Sequence, residues 1–395
     1  MEIQFNVENH RFEGFENNQW LPITDGVTNE LATSLNVPTK IDRYRIEVSL
    51  TCNLRCKYCV VHMNNVSQQN TVMSMDTAKH IVNQFNQEVG ENGSIFLMGG
   101  EPLINVDVVK YFVENIRGTS IIFTNAFSLT EELIEFFYNH GTYILTSLDG
   151  YSLEQNEKRF WPNVQKNYDK VTENIRKAIN YGCKVGVSCL LHKGNITEAV
   201  NIARFFTDNL HARSMSFAYP HSTVEHSEES DFDFSMYTEE LKQLFLFAKE
   251  KRVYIDQIGK ILGSLVYNSP SLIGCKSGTT QRTFYPDGSE TICTKIDTLN
   301  SFDINQYCKD LPYVKKECAD CIAKYLCCGE CPWDYAVANI SGRQHHRICE
   351  YRKHLISFII SDICSELSKA NSVEEAKNIF KLLYVPMTNN YNDEE

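Results

Sequence analysis

From residue 43 onward, short apolar runs recur between longer stretches of helical periodicity: RIEVSL, SIFLMG, SIIFTN, YILTSL, KVGVSCLL and SMSFAY. Strands joined by helical crossovers return to the same end of a sheet, so these six runs are expected to pair in parallel. The intervening segments carry the 3.6-residue pattern. Ala78, Ile81, Val82, Phe85 and Val89 share a face of the first helix, and Val171, Ile175 and Ile179 share a face of a later one. Another is expected to start at SLTE, where Ser128 and Glu131 have capping-box spacing, and to end before Gly141. Periodicity alone leaves two forms of this α/β sheet open, doubly wound or curved into a barrel.

At 395 residues, two domains are expected. A net charge of -12 without a long Lys/Arg run argues against a nucleic-acid partner, because phosphate binding needs clustered cations. No stretch is long and apolar enough for a membrane span, and MEIQFNVENH lacks signal-peptide features, so a cytoplasmic location is expected. In a reducing compartment, 15 cysteines point to metal ligation rather than disulfides. Ten of them lie between Cys275 and Cys364, whereas Cys183, Cys189 and Cys364 fall in strand or helix patterns and read as buried apolar residues.

The remaining segments are less regular. Ile3, Phe5 and Val7 predict one half-buried strand, residues 222–235 an exposed connection, and 236–266 a helical region. Leu355, Phe358, Ile359, Ile363 and Leu367 lie on one face of a last helix, ahead of the polar tail NNYNDEE. His345 and His346 read as part of a solvated loop.

Directly after the first strand, TCNLRCKYC sets Cys52, Cys56 and Cys59 in a C-x3-C-x2-C spacing, at the sheet end where parallel α/β folds build their sites. Three thiolates on a four-iron cluster leave one iron open for an exogenous ligand; a zinc site completed by His62, or three core thiols, is the alternative. The second strand ends in MGGEP, where Gly99 and Gly100 permit close backbone approach and Glu101 can accept from a cation. Ser147 ends the fourth strand in SLDG, Arg159 follows in EKRFWP, and Tyr219 ends the sixth. Downstream, Cys275-x12-Gly288-x4-Cys293 precedes Cys318-x2-Cys321-x5-Cys327-x3-Cys331-x17-Cys349, which reads as two metal sites, iron-sulfur or zinc.

Together these motifs resemble the radical S-adenosylmethionine (SAM) superfamily, with Tyr58 as the aromatic before the last loop cysteine, and the downstream series resembles its SPASM domain. The resemblance implies a partial, laterally open (β/α)6 TIM barrel followed by a cysteine-rich SPASM domain. It implies SAM and three [4Fe-4S] clusters as cofactors. The first cluster would be held by Cys52, Cys56 and Cys59, with SAM bound through Gly99, Gly100, Glu101, Ser147, Arg159 and Tyr219. Cys318, Cys321, Cys327 and Cys349 would hold the distal auxiliary cluster, and Cys275, Cys293 and Cys331 the one nearer the active site. The expected units are an N-terminal extension (1–42), the barrel (43–235), a helical bridge (236–270), the SPASM domain (271–365) and a C-terminal tail (366–395).

Two departures from sulfatase-maturing relatives refine the expected reaction. Those enzymes carry a further cysteine between the first motif cysteine and the glycine, and an aspartate after the cysteine of the G-x4-C unit. Here the first is missing and the second is Thr294, with Asp297 displaced and Cys308 and Cys328 outside the motif. The resemblance therefore implies maturation of a ribosomally synthesised precursor peptide, with a thioether from cysteine sulfur to carbon as the expected product. Formylglycine formation on a sulfatase and a carbon-carbon cross-link are the alternatives. A flavodoxin- or ferredoxin-type electron donor is the expected partner. Forty-two residues before the barrel are too few for a leader-binding domain of winged-helix type.

Overall fold

The structure, a computed structural model, describes residues 1–27, 35–36, 38–59, 71–220, 232–296, 302–341 and 346–389. The chain opens with an antiparallel sheet of β1 (Glu2–Asn6), β2 (Arg11–Glu16) and β3 (Gln19–Pro22). The expected single strand through Val7 is thus a hairpin. The Asn6 carboxamide oxygen accepts from the Glu8 and Asn9 N–H groups at 3.0 and 3.2 Å, an Asx turn that ends β1.

All six expected strands are present: β4 (Arg43–Ser49), β5 (Ser94–Gly99), β6 (Thr119–Thr124), β7 (Tyr143–Ser147), β8 (Val185–Leu190) and β9 (Ser214–Ala218). Each pairs in parallel with the next. A short β10 (Tyr254–Ile255) extends the sheet beyond β9. On the other edge, β11 (Gln281–Phe284) from the cysteine-rich region pairs in parallel with β4, and β12 (Glu290–Thr291) pairs antiparallel with β11. The order β10-β9-β8-β7-β6-β5-β4-β11-β12 has two free ends, so the barrel is partial.

Helices α1 (Met75–Glu88), α2 (Val106–Asn115), α3 (Glu131–Asn139), α4 (Leu153–Phe160), α5 (Val164–Tyr181) and α6 (Ala199–Asp208) occupy the crossovers. In α1, Ala78, Ile81, Val82 and Phe85 are buried as expected, while Val89 is the C-cap. Thr130, not Ser128, caps α3, accepting from the Leu133 N–H. Ser128 is drawn away by the Asn53 carboxamide, which donates to its Oγ at 2.9 Å.

The sheet face against the helices is recorded in β4 itself. Tyr44, Ile46 and Val48 are fully buried, with the Tyr44 ring edge-on to Phe85 at 5.2 Å. Because successive strand residues alternate sides, Arg45 and Glu47 face the barrel interior, while the register shifts between Glu47 and Ser49.

After the barrel come α7 (Phe234–Lys251) and α8 (Asp256–Val266), then α9 (Ile304–Lys309), α10 (Pro332–Ser341), α11 (His346–Leu367) and α12 (Val373–Tyr384). Leu355, Ile359, Ile363 and Leu367 of α11 are buried, and Asp362 of α11 pairs with Lys249 of α7 at 2.7 Å. Residues expected as a tail contain α12, capped by Ser372, whose Val373, Ala376, Phe380 and Tyr384 are buried. Phe380 meets Phe12 of β2 at 5.9 Å, and the Met1 ammonium donates to the Ser368 carbonyl at 3.2 Å, so the two ends of the chain share one core. No described helix is long and apolar enough to cross a membrane.

Phe380→Ala should lower the unfolding free energy by about 3–5 kcal/mol, as expected for a truncated core aromatic. Denaturant titration checks this; a loss below about 0.5 kcal/mol, typical of surface changes, would separate α12 from the core.

Candidate active site

The end of β4 runs straight into the cysteine loop, and the end of β5 is pressed against it. Gly99 has φ +133°, and a Cβ there would lie 2.1 Å from the Ser49 carbonyl oxygen. At Gly100 a Cβ would lie 2.4 Å from the Thr51 oxygen, while its N–H donates to Ser49 O at 2.6 Å and the Glu101 N–H to Thr51 O at 2.9 Å. The paired glycines are therefore required for two backbones to touch just before Cys52. Glu101 is fully buried and accepts from Thr124 Oγ1 (2.7 Å) and from the Asn125 and Leu103 N–H groups (2.7 and 3.0 Å). Burial pushes its carboxyl up to about 7, against the pull of those donors. Glu101 thus braces the loop after β6 beneath the cysteines.

Cys52, Cys56 and Cys59 are all half-buried. The Cys56 thiol donates to the Arg159 carbonyl at 3.2 Å, and the Asn125 amide lies 3.7 Å from Cys52 Sγ. Burial pushes the Cys52 thiol up to about 12 and that of Cys56 up to about 11, the Arg159 charge opposing the latter. As thiolate ligands these cysteines would shed their protons to a bound metal.

One buried carboxylate fastens this loop to the sheet. Asp149, fully buried beyond β7, receives Nε and Nη2 of Arg159 at 3.0 and 2.8 Å, the Tyr58 hydroxyl, and the Leu190 N–H at 3.0 Å. The guanidinium carbon also sits 5.5 Å from the Tyr58 ring centroid. Arg159, expected on the SAM carboxylate, thus carries a protein carboxylate in a fork-to-fork pair. Asp149 was missed from sequence, although its place in SLDG, one residue from the end of an apolar run, was a usable signal.

Inside the barrel, Ser147 is in register with Ser188, and Ser188 with Ser216, which makes a row of hydroxyls across β7, β8 and β9. Tyr219 is packed among aromatics, 5.2 Å from Phe234, 5.8 Å from Tyr237 and 6.1 Å from Tyr351, with its hydroxyl donating to Asp334 at 3.3 Å. That cluster joins the barrel to α10 and α11. On the opposite side of the interior, Arg45 donates to Glu47 Oε1 at 2.9 and 3.1 Å, and the Thr294 hydroxyl donates to the same oxygen at 3.3 Å. Glu47 is 1% exposed and its Oε2 is buried without a hydrogen-bond partner among the described residues. Sequence reading missed Glu47, a carboxylate in the inward register of RIEVSL.

The downstream cysteines form two groups. Cys318, Cys321, Cys327 and Cys349 line one cavity of about 290 Å³, and Lys315, Lys324 and Lys353 share its walls. Asp310 and Glu330 line it too, so the lysines exceed the carboxylates by one; four thiols in one cavity are a donor set that would suit an iron-sulfur centre. Cys293 and Cys331 pack with Trp333 and Val337, and burial pushes the Cys331 thiol well up, with Cys275 and Asp334 adding to the shift. Among the described residues, no three His, Cys, Asp or Glu side chains stand at the spacing a single ion requires. A cubane spreads its thiolates over separate irons and needs no such spacing. His62, Asp297 and His345 lie outside the described residues, as do residues 222–231 of the expected connection and the side chain of His346.

Asp149→Ala should destabilise the protein by about 3–5 kcal/mol, because it leaves the Arg159 charge, 11% exposed, without its partner. Thermal unfolding reads the loss, and SAM binding should weaken in parallel. An unchanged melting temperature would remove Asp149 from this role.

Residues 46–206 match the family model described as Radical SAM superfamily. Among curated proteins, the chain is 26% identical over 170 residues to a cysteine-type anaerobic sulfatase-maturating enzyme of Clostridium novyi (strain NT), covering 40% of this chain and 46% of that protein. It is 31% identical over 168 residues to a GTP 3',8-cyclase of Thermodesulfovibrio yellowstonii, covering 40% and 50%. The chain thus spans about half the length of these relatives. Among solved structures, native anSMEcpe with bound AdoMet and Cp18Cys peptide superposes with a TM-score of 0.67 at 18% identity, covering 82% of this chain and 99% of that one. Streptococcus suis SuiB bound to precursor peptide SuiA gives 0.55 at 15%, covering 74% and 72%; both likenesses concern the fold. With the cysteine loop, the glycine pair and the parallel sheet in place, residues 46–206 are a radical SAM domain, the kind that takes SAM and a [4Fe-4S] cluster.

Proposed function

We propose that the chain is a radical SAM maturase that cross-links a ribosomally made precursor peptide, most simply through a thioether from cysteine sulfur to carbon. The observation that carries this reading is the parallel pairing of β11 with β4, from Gln281↔Arg43 to Phe284↔Ile46. It brings the second thiol group, with Cys293 and Thr294, to the flank of the interior that the cysteine loop caps. The fold likeness to structures described with peptides supports a peptide substrate, which the open side of the sheet would admit.

Cys52, Cys56 and Cys59 would hold a [4Fe-4S] cluster, which with SAM would supply the chemistry for taking a hydrogen atom from the substrate. The chain's own residues do the rest. Tyr58, Arg159 and Asp149 hold the loop rigid, and Ser147, Ser188 and Ser216 offer hydroxyls to SAM and peptide along one level of the interior. Forming the thioether removes a hydrogen atom from carbon, a proton from the thiol and an electron. Glu47 Oε2, buried and without a partner among the described residues, is the acceptor we assign to the proton. The electron would leave through the auxiliary iron-sulfur centres at Cys275, Cys293 and Cys331 and at the four-cysteine cavity, and a flavodoxin- or ferredoxin-type protein would reduce the first cluster.

Formylglycine formation is the second reading, favoured by the likeness to the sulfatase-maturating enzyme. Thr294 weakens it, since a hydroxyl stands where those enzymes have an aspartate, although Thr294 does hand on to Glu47 at 3.3 Å. Anaerobic incubation with SAM, reductant and a short cysteine-containing peptide encoded beside the gene separates the two by tandem mass spectrometry. A cross-link loses two hydrogens and the free thiol, whereas formylglycine loses sulfur. Recovery of unmodified peptide alongside active SAM cleavage would overturn the peptide reading for that substrate.

Glu47→Gln should lower peptide product by about 10²–10⁴-fold, the usual range for loss of a general base, while SAM cleavage without product continues. Equal loss of both signals would make Glu47 structural.

A further inference from the structure

The inner auxiliary site, as read above, has only three motif thiolates: Cys275, Cys293 and Cys331. Two further cysteines in the region have no motif role, Cys308 and Cys328, and the structure treats them differently. Cys308 lies on α9. Cys328 lies in the turn between two motif ligands, and its sulfur packs against Gly274, the residue before Cys275.

Cys328 has φ +53° and Gly329 has φ +71°, so two successive residues are left-handed. A glycine takes that conformation freely, whereas a residue with a Cβ does so at a cost, and such strain concentrates where a side chain has work to do. The Gly274 N–H donates to the Cys328 carbonyl at 3.0 Å, and a Cβ on Gly274 would sit 3.0 Å from Cys328 Sγ. The thiol therefore lies over the residue next to Cys275, in space that only a glycine at position 274 leaves open.

Arg352 of α11 donates through Nη1 to the carbonyls of Cys327 and Gly329, and the same nitrogen lies 3.3 Å from Cys328 Sγ. One guanidinium thus grips the turn on both sides of the cysteine and offers a positive charge to its sulfur. Tyr307 stands by the same turn, its hydroxyl donating to the Glu330 carbonyl at 2.7 Å.

We propose that Cys328 is the fourth thiolate of the inner auxiliary cluster, completing the set Cys275, Cys293 and Cys331 in the resting protein. This rests on the reading that those three hold a [4Fe-4S] cluster. The donor chemistry fits, since a cubane takes one thiolate per iron and the turn brings a further sulfur to Gly274, one residue from Cys275. A thiolate on every iron leaves no labile corner, so the resting cluster suits electron transfer. A substrate sulfur could still reach iron by replacing Cys328, the incoming thiol's proton passing to the released sulfur, with charge unchanged.

The test uses the full chain with Cys52, Cys56 and Cys59 replaced by alanine, so that only auxiliary iron is seen. Iron content and electron paramagnetic resonance are read before and after mild oxidation, with no peptide present. A cubane with an unprotected iron loses it on oxidation and gives a three-iron signal, whereas a fully thiolate-ligated one resists. The expected result is little three-iron signal in this background and a large one after adding Cys328→Gly. Glycine suits the left-handed backbone, so the variant should fold, and Cys308→Ser should match the background. A three-iron signal already present in the background and unchanged by Cys328→Gly would overturn the proposal. Cys331→Ala addresses the underlying reading separately: if it removes no iron, the inner cluster itself is absent from these residues.

Discussion

Strand β4 is the member on which the rest of the structure depends, because it is paired on both edges and used on both faces. Its parallel ladder to β5 brings the glycine pair against the start of the cysteine loop, through the Gly100 N–H to Ser49 O bond of 2.6 Å. Its other edge takes β11, so a sheet built by local β-α repeats continues into a segment 238 residues later in the chain. One face supplies Tyr44, Ile46 and Val48 to the core, and the other turns Arg45 and Glu47 inward. A parallel strand with both edges satisfied has little freedom to shift register, since a slip of one residue would exchange those faces.

Electrostatics then distinguish the two ends of the interior. At the loop end, Asp149 gathers a guanidinium, a phenol and a backbone N–H, so that each side chain fixed by it also fixes the others. Low polarity around such a network strengthens each bond and makes any unpaired member costly. On the β11 side the arrangement is incomplete: Arg45 and Thr294 both address Glu47 Oε1, and Oε2 is left without a partner among the described residues. Buried polar atoms are rarely left so in a native fold. The four-cysteine cavity differs again, with Lys315, Lys324 and Lys353 on its walls beside Asp310 and Glu330.

Much of this was legible in the sequence, for reasons that are local. The six strands were readable because β-α alternation is a short-range pattern, and each helix start depends on a few adjacent residues. Even there, a distant partner could win: Ser128 was readable as a cap, but Asn53 takes its Oγ and Thr130 caps α3 instead. The hairpin at Asn6 hides in an alternating run because an Asx turn keeps the composition of a strand. Helix α12 lacks a long apolar stretch, and what buries Phe380 is the ring of Phe12, far away in the chain.

Thus the sequence by itself determined the parallel α/β core, the cysteine triplet at its active end and the grouping of Cys318, Cys321, Cys327 and Cys349, because ligand spacing and periodicity are properties of neighbouring residues. Only the tertiary structure decided that Arg159 answers to Asp149, that Tyr219 joins an aromatic cluster, that Glu47 meets Thr294, and that Cys328 lies over Gly274 while Cys308 does not. Each of these pairs is separated along the chain and brought together by strand pairing or a buried charge. Such contacts are set by how the β11 edge and α11 close on the barrel, and one chain's residue order does not encode that distance directly.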